Sequence, residues 1–259
     1  ASDVYKRQGL NNGFDPSSTL TGSNVITLPD TVTELTNYAN QKCNGQDAVT
    51  LQTAFALSCN TAFVEMSEQL GADELRKYAK AFGVGENYDL GVSTSAGTLG
   101  DLPDGAATAQ SAIGQRDVTM TALQAAVMAG TVANKGTRMQ PYLVNRITDA
   151  QMKDIRTTKP KKADQAVNEE TAATLTDLMY ASERSSAGYD GNGFASKTGT
   201  AEHGEGLAPH VWYVAFDPER DIAVGVVVKN GGNLGESATG GKVSGPIGRA
   251  ILRAYQGEQ

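Results

Sequence analysis

Lys197-Thr198-Gly199-Thr200 puts a cation, two hydroxyls and a glycine on four consecutive positions. On an exposed strand, such a group can grip a carboxylate and let another backbone lie close. A Lys-Thr-Gly triplet arises by chance about 0.06 times in a chain of this length on ordinary residue usage. The plain alternative is a lysine placed on an edge strand to keep other strands away. Gly199 argues against it, because glycine weakens a strand interior and marks a bulge or a close backbone approach. A second grouping, Ser58-Cys59-Asn60, sets a hydroxyl beside a carboxamide. It can relay a proton and orient an amide. A Ser-x-Asn also arises by chance about 0.7 times in this length, and its bland reading is a turn whose Ser and Asn satisfy backbone groups. Ala112-Ile113-Gly114-Gln115 is read as structural.

Three strands must position the lysine: Phe194–Ala201, Val211–Phe216 and Ile222–Lys229. The short turn over 217–221 predicts an antiparallel hairpin for the last two. Ile222 to Val228 is nearly all apolar, which predicts a strand covered on both faces, as at a sheet's centre. Ser244-Gly245-Pro246 opens a final helix that packs on the sheet, with Ile247, Ile251 and Tyr255 at i, i+4 and i+8. The serine needs a different frame. Thr50 has the character of an N-cap. Leu51, Ala54, Phe55 and Leu57 start a helical apolar face that breaks at Ser58-Cys59-Asn60 and resumes through Met66. Asp73 caps the next helix, with Leu75, Tyr78, Ala79 and Phe82 on one side, and Gly83 ends it.

Around these lie simpler segments. Residues 9–48 hold short strands at 25–28 and 31–33 about a Pro29-Asp30 turn. The glycines and prolines of 83–110 predict a long surface loop. Thr121 caps a helix whose inward residues are Leu123, Ala126, Val127 and Gly130. Strand-like text at 142–147 turns at Asp149-Ala150 and returns over 152–156. Asn168 begins one more helix, with Ala172, Leu175 and Met179 at helical spacing.

The 259 residues allow one large domain, or a domain with a small lobe. A net charge of −7 leaves no basic surplus to neutralise phosphates, so nucleic acid is excluded as a partner. Lys159-Pro160-Lys161-Lys162, the one basic cluster, reads as a solvated loop. No apolar run approaches the ~20 residues that cross a membrane. Residues Ala1 to Gln8 fit no targeting pattern and read as foreign or misread text, with domain-like sequence from Gly9 onward. Cys43 and Cys59 are buried thiols in a reducing compartment, or a pair in an oxidising one. His203 and His210 have no Cys/His neighbours at metal-ligand spacing, so neither metal nor cofactor is expected.

Taken in order, Ser-x-Asn, Ala-Ile-Gly-Gln, Lys-Thr-Gly-Thr-Ala-Glu and an aromatic strand ending Ala-Phe-Asp-Pro resemble penicillin-binding proteins. The likeness is to class B transpeptidases of actinobacterial type and runs from about Gly9 to Tyr255. It implies an α/β fold of the α+β type, with an antiparallel sheet packed by helices beside a largely helical lobe. It also implies roles. Lys197 would supply positive potential to the substrate carboxylate and the nucleophile. Thr198 and Thr200 would bind the terminal carboxylate of a D-Ala-D-Ala stem peptide or of a β-lactam that mimics it. Gly199 would let the peptide lie along the strand. The Thr200 N–H would be half of an oxyanion hole, a donor of roughly 3–4 kcal/mol to the barrier. Ser58 would pass a proton to the leaving amine, and Asn60 would hold the substrate amide.

The family's nucleophile stands in a Ser-x-x-Lys, and this sequence contains none. In the family that helix runs into text like Gly9-Leu10-Asn11-Asn12-Gly13-Phe14. The expectation is therefore a transpeptidase domain over 9–259 that lacks its Ser-x-x-Lys helix and, as given, forms no acyl-enzyme. Its setting would be the extracytoplasmic face of the bacterial membrane, with the anchor outside this sequence. Partners would be cell-wall synthesis or division proteins. There disulfides persist, and a Cys43–Cys59 bridge would tether the Ser58–Asn60 turn. The rival readings are a nucleophile-less β-lactam sensor or scaffold, a D,D-carboxypeptidase, and a β-lactamase relative.

Overall fold

A computed structural model describes residues 13–204 and 206–257. The expectations for residues 1–8 and for the text at 9–12 lie outside the described residues. The chain begins as a small lobe of short strands: β1 (Thr19–Thr21), β2 (Val25–Thr27), β3 (Glu34–Thr36) and β4 (Ala48–Thr50). β2 pairs antiparallel with β3, and β1 with β4. The second strand starts at Glu34 rather than at Thr31. Asp30 takes a left-handed φ of 58°, and the Thr31 hydroxyl donates back to the Leu28 carbonyl at 2.9 Å. Residues 31–33 are thereby consumed in the turn.

Thr50 caps α1 (Leu51–Leu57), its hydroxyl accepting from the Thr53 N–H at 3.2 Å. After a break, α2 (Asn60–Ala81) runs on through a bend at Gly71, whose φ of 76° and ψ of 172° are not helical. Leu75, Tyr78, Ala79 and Phe82 are buried, as the period predicts. Residues 105–110, expected as loop, belong to α3 (Gly105–Ala112), capped by Asp104 on the Ala107 N–H at 2.7 Å. Its Gly-Ala-Ala-Thr-Ala text carries no large apolar period. It is helical because its small residues let it lie close along α2, where Ala109 packs with Val64 and Leu28.

α4 (Ala122–Ala133) starts in a capping box, with Thr121 and Gln124 bonding each other's backbones. Its buried residues are Gln124, Ala125, Met128, Ala129, Thr131 and Val132, not the expected Leu123, Ala126, Val127 and Gly130, which are half-buried. Two paired ribbons follow. β5 (Thr137–Met139) pairs with β8 (Lys162–Gln165), and β6 (Arg146–Thr148) with β7 (Asp154–Thr157). Residues 142–145, expected as strand, lie outside both ribbons. Residues 159–161 form the exposed connection, with Lys162 opening β8. α5 (Glu169–Ser185) is capped by the Asn168 side chain at 2.8 Å.

β9 (Ala195–Ala201), β10 (His210–Asp217) and β11 (Ile222–Val228) make an antiparallel sheet in the order β11-β10-β9. Among the described residues β11 is therefore an edge, not the centre. Its apolar text records two covered faces, α4 on one side and α6 (Ser244–Gly257) on the other. Gly225 faces α4 so closely that a side chain there would run into the Ala122 carbonyl and come within 3.0 Å of the Ala125 Cβ. On α6 the expected face is reversed. Ile247 and Ile251 are 44% exposed, whereas Arg249 and Leu252 are buried. Gly248 has no side chain, and the Tyr213 ring occupies that space against the helix.

Candidate active site

The loop between α1 and α2 and the strand β9 meet, although 139 positions separate their contacting residues. Lys197 lies in β9 and is 3% exposed. Its Nζ donates to the Ser58 Oγ and to the Thr198 carbonyl at 2.7 Å. It also lies 6.0 Å from the centre of the Phe55 ring. A charge this buried persists only where partners replace water. Ser58 is itself held in an unusual conformation, φ 58° and ψ 47°, as the C-cap of α1. A residue other than glycine in that region costs of order 1–3 kcal/mol. The surroundings supply the restraint. The Cys59 N–H donates to the Ala54 carbonyl at 3.0 Å, and Cys59 is disulfide-bonded to Cys43, with Cα atoms 5.7 Å apart.

Asn60 starts α2 beside Ser58, but its Nδ2 donates to the Thr36 carbonyl of β3 at 3.0 Å. The structure thus brings Ser58 and Lys197 into contact and turns the Asn60 amide toward the small lobe. Thr198 and Gly199 are half-buried, and Thr200 is exposed. Among the described residues β9 ends the sheet, so its edge opposite β10 has no ladder partner there. Gly199 pairs with Trp212. A side chain at Gly199 would begin 3.3 Å from the Trp212 Cβ, so the missing Cβ makes room for the tryptophan. The connection between β11 and α6 closes over the same place. A Cβ at Gly240 would come within 2.9 Å of the Thr198 Cβ and 2.8 Å of the Gly199 carbonyl. Gly114, with φ 81°, ends α3, which suits the structural reading of Ala112–Gln115.

One cluster beneath β9 was not among the residues singled out above. Glu183, fully buried near the end of α5, accepts from Arg249 Nε at 2.6 Å and Asn192 Nδ2 at 2.9 Å on one oxygen. The other oxygen accepts from the Ser196 hydroxyl and, at 2.9 Å, from the Tyr213 hydroxyl. Burial alone would raise this carboxyl. The hydrogen bonds from Arg249, Ser196 and Asn192 outweigh it and hold the group below the usual carboxylate range. Burial, and then the charge of Glu183, push the Tyr213 phenol well up. A signal for the cluster exists in the sequence: Glu183 and Arg249 each stand on a helix face that continues as apolar, four after Met179 and three before Leu252.

Past the end of β9, His203 and His210 stack with ring centres 4.0 Å apart. Burial, then His203 and Lys229, lower the His210 imidazole. Its Nδ1 accepts from the Asn230 N–H at 3.1 Å.

The chain matches the family model described as the penicillin binding protein transpeptidase domain over residues 8–253. It is 43% identical over 254 residues to the peptidoglycan D,D-transpeptidase PbpA of Mycolicibacterium smegmatis, covering 95% of this chain and 52% of that protein. To the PbpA of Mycobacterium tuberculosis it is 41% identical over 256 residues, with the same shares. The chain thus spans about half the length of the curated relatives it matches. Among solved structures, the penicillin G acyl-enzyme complex of penicillin-binding protein A from M. tuberculosis superposes with a TM-score of 0.92 at 39% identity. That match covers 98% of this chain and 59% of the other.

Proposed function

The chain belongs to the family of penicillin-binding protein transpeptidase domains, and on that premise we propose that it supplies two walls of a D,D-transpeptidase cleft. The observation that carries the reading is the contact between Lys197 Nζ and Ser58 Oγ, which joins the two groupings of the site. In the reaction, a serine hydroxyl outside this sequence attacks the carbonyl of the penultimate D-Ala. Its Oγ–C bond forms as the bond to the terminal D-Ala nitrogen breaks. The serine's proton passes through Ser58 to the leaving amine; the amine of a second stem peptide then bonds to the acyl carbon as the C–Oγ bond breaks, and its proton returns to the serine oxygen. A β-lactam follows the first half of this course, its ring amide opening onto the same serine.

The residues present fit these steps. Lys197 sets a fixed cation, desolvated and therefore strong, beside the proton-relaying hydroxyl. The free edge of β9 can receive an extended peptide, as sheet edges do. The Thr198 and Thr200 hydroxyls would meet its terminal carboxylate, and the Thr200 N–H the developing oxyanion. Asn60 would reach the substrate amide after exchanging its bond to the Thr36 carbonyl. The working place of such a domain is the extracytoplasmic side of the membrane, among proteins that build or divide the wall. No described helix is long and apolar enough to cross a membrane.

Intact-mass measurement with a labelled penicillin tests the assignment. The expected result is no covalent adduct on this chain and one adduct on a form extended upstream through a Ser-x-x-Lys. An adduct on Ser58 of the chain as given would overturn the role given to that residue. Lack of an adduct on the extended form would favour the sensor or scaffold reading.

A further inference from the structure

We infer that Glu183 is a positioning residue for the lysine strand, acting through Ser196 and Tyr213. The inference rests on the transpeptidase reading. The two oxygens of this carboxylate take four donors from four segments: Arg249 of α6, Asn192 of the connection after α5, Ser196 of β9 and Tyr213 of β10. Ser196 immediately precedes Lys197. Adjacent strand residues point to opposite faces, so the bond that draws Ser196 toward Glu183 aims Lys197 at Ser58. Tyr213 is the cross-strand partner of Thr198, and its hydroxyl is tied to the same oxygen as Ser196. One buried acceptor thus holds both the residue before Lys197 and the residue opposite Thr198.

The arrangement admits a single register. Sliding β9 by one residue would set Ala195 or Lys197 against the carboxylate and turn the lysine face over. It would also strip a donor from a buried carboxylate, which is costly. A buried ion pair is a weak source of net stability compared with apolar packing. Its use here is to fix where β9 lies. Arg249 adds a second tie, donating through Nη1 to the Ala187 carbonyl at 2.9 Å and lying 5.5 Å from the Tyr213 ring centre.

Two variants separate positioning from bulk stability, both in the form extended through the nucleophile. Ser196→Ala removes only the β9 tie. Tyr213→Phe removes only the β10 tie and keeps the ring against Gly248. Labelled penicillin is titrated to count reactive sites, and the acylation rate constant per reactive site is then measured apart from the binding constant. The expected result for each variant is a near-complete count of sites with about a tenfold slower acylation step, as for a small misplacement of reacting groups. A role in stability alone would lower the count of reactive sites or the melting temperature and leave the rate per site within about twofold, and that result in both variants overturns the inference. Failure of the unsubstituted extended form to take up penicillin would instead overturn the transpeptidase reading on which it depends.

Discussion

Lys197 is costly to bury and bonded to a hydroxyl that only a fold could bring to it. At 3% exposure the ammonium has given up most of its water, and Ser58, the Thr198 carbonyl and the Phe55 ring replace it. An ammonium buried against neutral partners carries a desolvation cost that an apolar side chain of similar volume does not. Lys197→Met should therefore leave thermal stability equal or higher. In the extended form it should slow penicillin acylation by about 100-fold or more, the scale of losing one fixed electrostatic group at a developing charge. Acylation within tenfold of the parent would exclude a catalytic charge at this position. Lys197-Thr198-Gly199-Thr200 stood out in the sequence because four informative residue types stand side by side. The state of Asn60 was not, because whether its amide meets Thr36 or a substrate depends on where β3 lies. Glu183 was not singled out either: its place on an apolar helix face, four residues after Met179, signals burial but not which four donors meet it.

Among the elements, the break between α1 and α2 does the most. It sets Ser58 in a left-handed conformation, and the Cys43–Cys59 bridge fastens the next residue to the turn before β4. Closing a loop of this length restrains the unfolded chain and contributes about 3 kcal/mol in the chain-entropy account. Unfolding in urea with and without reductant should show a loss of about that size. Equal midpoints, or two thiols that label before reduction, would contradict the bridge. The helix faces misjudged from sequence share one cause. Apolar period finds large side chains, but α4 and α6 make their nearest approaches to the sheet where a side chain is missing. Gly225 admits the backbone of α4, and Gly248 admits Tyr213. The larger Ile247 and Ile251 stay outside. β11 misled in a related way: its apolar run reports covered faces, which a strand at a sheet's edge can also have.

Across the whole molecule, the sheet and the helices on its two faces are joined at the Glu183 cluster, which makes acid sensitivity a global property. The folded carboxyl lies below its usual range. By linkage its contribution is fully present above the unfolded value. It is lost as pH falls through the ordinary carboxyl range and on through the folded value. Thermal melts from pH 7 to pH 3 should therefore fall on the acid side. Glu183→Gln should remove part of that slope and, by leaving Arg249 without its counter-charge, cost about 3–5 kcal/mol at neutral pH. An unchanged slope in the variant would assign acid sensitivity to other carboxylates.

The sequence alone determined the pairing of the final hairpin, the caps at Thr50 and Thr121, the helix beginning at Asn168, the helix break at Ser58 and the ordered motifs of the family. These are properties of neighbours along the chain: a cap, a period or a triplet is complete within a few residues. Only the tertiary structure decided that Ser58 meets Lys197, that Asn60 turns to Thr36, that β11 lies at an edge and that Glu183 gathers Ser196, Tyr213, Asn192 and Arg249. Each of those contacts crosses between elements. Each is set by how closely backbones approach, and that distance depends on which side chains are missing as much as on which are present.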